Sequence, residues 1–152
     1  MPKNQNIIKI LKNPKLVNLQ QFQTKEMLKL LYEITDNIDL IVISWFVVYE
    51  PELKQSILDK YKQKIKFILT NYTFNSIKFQ ENHFSFEAGF GTENIGHIVK
   101  VPYKAVIQIT NNNYIVYINS TSVFLEKTTK ISSKEIFRQN ITNNKFFKEQ
   151  EL

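Results

Sequence analysis

From Ile65 to Ile118 the sequence is a succession of short apolar segments, most with period-two alternation, and this run restricts the fold more than anything else in the chain. "IKFILTNYTF", "SIKF", "HFSFEAGF", "HIVKVP", "AVIQI" and "NYIVYI" follow at close spacing, and "SVFLE" is a further candidate. Short strands so closely spaced predict an antiparallel, barrel-like sheet. The three glycines of the chain, Gly89, Gly91 and Gly96, fall within eight positions of one another. Glycine serves where φ is positive or where another backbone must come close. Phe84, Phe86, Ala88 and Phe90 alternate before the cluster, and Val99 and Val101 share a face after it. The stretch therefore reads as a β-hairpin with Gly91 and Gly96 in its connection. Gly89 sits within the strand pattern, which marks a bulge or a close backbone approach. The spacing is neither that of a dinucleotide fingerprint nor that of a P-loop. Asn111, Asn112 and Asn113 form a plain turn between two later strands.

Ahead of the strands lies helical text. Thr24 reads as an N-cap, with Glu26 in the first turn and Met27, Leu30, Leu31 and Ile34 at helical spacing to about Asn37. Leu28 and Tyr32 add a second stripe, which serves one wide core face or a contact with another copy of the chain. "LIVISWFVVY", Leu40 to Tyr49, reads as a buried strand and is too short to span a bilayer. "EPELKQSILDKY" predicts a short helix with Pro51 early and Lys60 near its end. From Lys127 onward the text is polar, with Ile136, Phe137, Ile141, Phe146 and Phe147 scattered through it: a tail or a weakly amphipathic closing helix. The domain expectation is a basic arm over 1–23, a folded α+β unit over 24–126 and a C-terminal tail over 127–152.

The net charge of +6 is unevenly placed. Residues 1–25 hold five lysines and no acid, whereas the remainder carries fifteen basic and fourteen acidic groups. A basic arm can touch nucleic acid or an anionic surface, and it can equally be a solvated terminus. Cysteine is absent, so disulfides and thiolate chemistry are excluded and a reducing compartment fits. The N-terminal apolar patches are broken by lysines, unlike a secretory signal. Only two histidines, His83 and His97, and three aspartates occur, with no zinc-protease, C-x-x-C or nucleophile-elbow motif. The histidines flank the hairpin and could face each other across it, yet a zinc site needs further ligands and only Glu81 and Glu87 are near in sequence. Surface histidines are the plainer reading. No catalysis, cofactor or metal is expected, and the chain reads as a binding protein.

Two ligands suit a small β barrel behind a helix: RNA, or an extended peptide laid beside strands. RNA calls for aromatics interleaved with basic residues on one face. "FSFEAGF" instead sets Glu87 opposite the phenylalanines, and "IKFILTNYTF" supplies Lys66 alone. Peptide capture calls for main-chain partners, small residues and apolar pockets. Ala88 and Gly89, with Leu69, Tyr72 and Phe74 nearby in sequence, match that better.

Several segments in order resemble the stringent starvation protein B (SspB) family, nearest its α-proteobacterial branch. They are Leu58-Asp59-Lys60-Tyr61, Phe67-Ile68-Leu69, the aromatics Tyr72 and Phe74, Phe84-Ser85 through Phe90 with its glycine-bearing hairpin, and Val101-Pro102-Tyr103-Lys104-Ala105-Val106. The resemblance covers about Ile38 to Ile118, with a weaker echo in "MLKLLYEITDN". It implies a cytoplasmic, dimeric, Sm-like adaptor that binds the ssrA degradation tag and delivers tagged polypeptides to the ClpXP protease. By position it implies tag contacts from Leu69, Thr70, Asn71, Glu87, Ala88 and Gly89, in a groove between the strand at Phe67–Asn71 and that at Phe86–Phe90. Tyr72 and Phe74 are added by aromatic character. Gly89 would leave room for the guest backbone, and Leu28 and Tyr32 would meet a partner helix. The hairpin loop is longer than usual for the family, the basic arm is extra, and the C-terminal motif that contacts the ClpX unfoldase is not visible in "KEIFRQNITNNKFFKEQEL". The competing expectations are an Sm-like RNA binder using the lysine arm and an oligomerising scaffold with no small ligand.

Overall fold

The computed structural model describes residues 3–125. Two helices open it, α1 (Lys3–Leu11) and α2 (Pro14–Ile34), followed by β1 (Asn37–Ile43) and, after a 3-10 turn at Ser44–Phe46, β2 (Val48–Glu50). Next come α3 (Gln55–Leu58), β3 (Lys64–Thr70), α4 (Asn71–Asn75) and β4 (Lys78–Phe79). The remainder is β5 (His83–Phe90), β6 (Ile95–Pro102), β7 (Val106–Asn111) and β8 (Tyr114–Ile118). The architecture is α+β. The strands pair antiparallel in two four-stranded sheets, ordered β3-β1-β7-β8 and β2-β6-β5-β4.

The core lies between these sheets. Alternation buries Leu40 and Val42 of β1, Ile109 of β7, Phe84 and Phe86 of β5, and Val99 and Val101 of β6. The Phe67 ring of β3 meets the Phe86 ring of β5 edge-on at 5.2 Å, joining one sheet to the other. Tyr103 stacks on Phe84 at 5.7 Å and donates its hydroxyl to the Gln80 carbonyl at 2.8 Å. Helix α2 packs on the 3-10 turn Tyr103–Ala105 and buries Leu28 and Leu31.

Several expectations are corrected. The long helix starts at Pro14 rather than Thr24, so the boundary drawn at residue 23 falls inside it. Asn13 is the cap, accepting from the Lys15 N–H at 2.9 Å, and Pro14 takes the first turn, where its missing N–H costs nothing. Thr24 is fully buried, and its hydroxyl lies within hydrogen-bond distance of the Gln20 carbonyl and the Tyr117 hydroxyl. Leu28 is a core residue at 1% exposure and presents nothing to a partner helix. Tyr32 is half out, but it stacks on Phe74 at 5.4 Å and donates to the Asn75 carbonyl. The run Leu40–Val48 is two strands divided by the 3-10 turn, where Ser44 N–H donates to the Gln63 carbonyl. The helix expected from Pro51 is a single turn beginning at Gln55. The tail expected over 127–152 lies outside the described residues.

His83, at the start of β5, has its imidazole held below the ordinary value of 6.5, first by burial and then by the Lys100 charge. The fold therefore favours the neutral ring. The stability this contributes is complete above about pH 6.5 and declines as pH falls through that value toward the depressed one. His83→Gln is expected to flatten that decline in denaturation midpoints measured between neutral pH and about pH 5. An unchanged slope would assign the acid sensitivity to other groups.

Candidate functional site

The β5–β6 hairpin pairs Ala88 with His97, Gly89 with Gly96 and Phe90 with Ile95. Its connection is the four residues Gly91–Asn94, closed by Asn94 N–H donating to the Gly91 carbonyl. Gly91 has φ +76° and Asn94 φ +52°, left-handed values suited to these two residue types. Gly96, expected in the turn, lies instead in the ladder directly opposite Gly89. Since side chains alternate, Phe84, Phe86, Ala88 and Phe90 face inward, while Ser85, Glu87 and Gly89 face outward. Of these two cross-strand glycines, Gly96 leaves bare main chain on the outer face of the hairpin.

That bare patch is part of the floor of a hollow of about 660 Å3. Around it stand Tyr72 and Thr73 of α4, Glu87 and Ala88 of β5, Asn94 of the turn and Ile98 of β6. Helix α4 brings Tyr72 there because Asn71, at φ +51°, turns the chain sharply after β3. The Tyr72 hydroxyl donates to Glu87 Oε2 at 2.7 Å. That bond, and then the carboxylate's charge, push the phenol pKa upward. The hollow contains two acids, Glu87 and Glu50, and no lysine or arginine. Glu50 is paired with Lys100 at 2.7 Å.

β5 runs past the end of β4 beside this hollow. β4 covers β5 only at Phe84 and Ser85. One step further, Glu87 N–H donates to Ser76 Oγ at 2.8 Å, while Ser76 Oγ–H donates to the Thr73 carbonyl. Glu87 N–H therefore points away from β6. By the two-residue period of an antiparallel ladder, the N–H and carbonyl of Gly89 point the same way, past the end of β4.

Of the residues named from sequence, Tyr72, Glu87, Ala88 and Gly89 come together at this hollow. Leu69 and Phe74 do not: both are core residues, at 1% and 3% exposure, because β3 turns Ile65, Phe67 and Leu69 inward. Thr70 and Asn71 are exposed on the β3–α4 connection and do not line it. The strands expected to form one groove belong to different sheets, linked by the Phe67–Phe86 contact and by α4. The space over Gly89 is also taken. A Cβ there would collide with the Asn94 side-chain amide, whereas a Cβ on Gly96 would meet nothing within 4 Å. The open glycine is Gly96, and alternation counted on from Val99 and Val101 would have placed it on the outer face. His97 is buried against Phe90, their rings 5.4 Å apart, and donates Nδ1–H to the Ile95 carbonyl at 2.8 Å. It does not face His83, which pairs with Pro102. Among the described residues no three metal-type ligands cluster. The sequence matches no family model and no curated protein.

Proposed function

We propose that this chain captures an extended segment of another polypeptide along the open edge of β5, and that it does so as an SspB-type adaptor. The observation that carries the reading is that β5 runs on to Gly89 past the end of β4, beside a hollow whose open floor is Gly96. An incoming strand gains hydrogen bonds from such an edge whatever its sequence, and neighbouring pockets select its side chains. Two face-to-face sheets behind an N-terminal helix are compatible with the small Sm-like barrel of that family. The guest would be an ssrA-type degradation tag in a bacterial cytoplasm, and the protease ClpXP the destination. No chemistry by the adaptor is needed: holding the tag near the unfoldase raises its effective concentration to the millimolar range. The acidic lining of the hollow opposes nucleic acid at this place. In this reading the dimer contact moves from Leu28 to the exposed apolar residues of the two helices, Ile7, Ile10, Leu19 and Phe22.

Titration of a fluorescein-labelled ssrA-tag peptide into the full chain tests this. Saturable binding with Kd near or below about 10 μM is expected, with a scrambled peptide at least tenfold weaker. Gly96→Trp, at the outer-face position where a Cβ would meet nothing within 4 Å, should weaken the binding strongly while leaving the circular dichroism spectrum intact. Equal binding of tag and scrambled peptide would overturn the tag assignment, and no binding of either would overturn the module.

A further inference from the structure

A second hollow, of about 430 Å3, lies on the opposite face of the hairpin end. Leu53 and Ile57 from the α3 region and Phe90 and Ile95 from the hairpin give it apolar walls, and Lys54 and Glu93 stand among its polar lining. His97 borders both hollows. The two hollows differ in chemistry. The outer one offers a carboxylate at Glu87, a phenol at Tyr72 and an amide at Asn94 over bare backbone, while the inner one offers the apolar walls of Leu53, Ile57, Phe90 and Ile95 with charged residues among them.

A strand added to a sheet edge directs successive side chains to opposite faces. One extended chain beside Gly89 and Phe90 would therefore present one residue set to the outer hollow and the alternate set to the inner one. We infer that the two hollows are paired side-chain subsites for a single extended peptide, the inner taking an aliphatic or aromatic residue and the outer a cationic or amide residue. This rests on the peptide-binding reading and adds the chemistry of the guest. Because the subsites lie on opposite faces, the two selected residues stand at odd spacing, one or three positions apart.

Selection of a displayed random octapeptide library against the immobilised full chain tests this. Enrichment of an apolar residue at odd spacing from Lys, Arg, Asn or Gln is expected. Ile95 and Glu87 are both exposed, so charge substitutions there leave the core untouched. Ile95→Glu should shift the apolar position toward basic residues by roughly tenfold and leave the other unchanged. Glu87→Lys should shift the polar position toward acids by a similar factor. Enrichment at even spacing, or selections identical for wild type and both variants, would overturn the paired subsites while sparing the peptide module. No enrichment of any sequence would overturn both.

Discussion

Gly96→Leu is expected to raise the Kd for the captured peptide by about 100-fold or more, with melting temperature unchanged or higher. The two effects separate because of where this glycine sits. It lies in β6 with nothing within 4 Å of a would-be Cβ, and its φ is not in the left-handed region. A Cβ there suffers no collision, and replacing glycine within a strand recovers about 0.5–1 kcal/mol of backbone entropy. The leucine side chain would fill the hollow that the guest must enter. Its glycine neighbours make the controls. Gly91→Ala puts a Cβ at φ +76° and is expected to cost about 1–2 kcal/mol of stability with little effect on binding. Gly89→Ala must displace the Asn94 amide. Fluorescence anisotropy and thermal melts on the three variants give the comparison. Wild-type affinity in Gly96→Leu would remove the glycine floor from the binding account.

Leu28→Ala is expected to destabilise the fold by about 3 kcal/mol, within the range for truncating a core leucine. That corresponds to a fall in melting temperature on the order of 10 °C for a domain of this size. The residue is 1% exposed and lies in the same apolar cluster as Leu31, Ile38 and Phe74. A denaturant midpoint measures the loss, and sedimentation velocity should give the same mass for variant and wild type. A change of mass with the midpoint preserved would return Leu28 to an intermolecular role.

Local pattern was legible and long-range coincidence was not. The phenylalanine alternation in β5 and the valines of β6 specified the hairpin, because a two-residue period with half its positions buried has one solution. The turn read at Asn111–Asn113 was likewise legible: Asn112 and Asn113 adopt positive φ, while Asn111 closes β7 opposite Tyr114. The position of Thr24 was not. Its resemblance to a cap is local, while its burial depends on Tyr117, far along the chain. The helix start at Pro14 was hidden in polar, Gln- and Asn-rich text whose apolar residues stay largely exposed. Leu69 and Phe74 followed the same logic in reverse: β-alternation turns Leu69 inward, and Phe74 is drawn under Tyr32 from another element. At the site, the glycines announced that something unusual happens at residues 89–96. Which glycine stays open depends on the Asn94 rotamer, and that is decided by the turn in three dimensions.

The hydroxyl of Ser76, already engaged with Glu87, acts as an end-stop. It and the hairpin tip at Gly91 leave only about four residues of template, roughly 13 Å of strand. A reader with so narrow an aperture recognises a short word rather than a sentence, and it lets go quickly. For the adaptor proposed above, which would hand its cargo on to a protease, brevity of grip is the useful property.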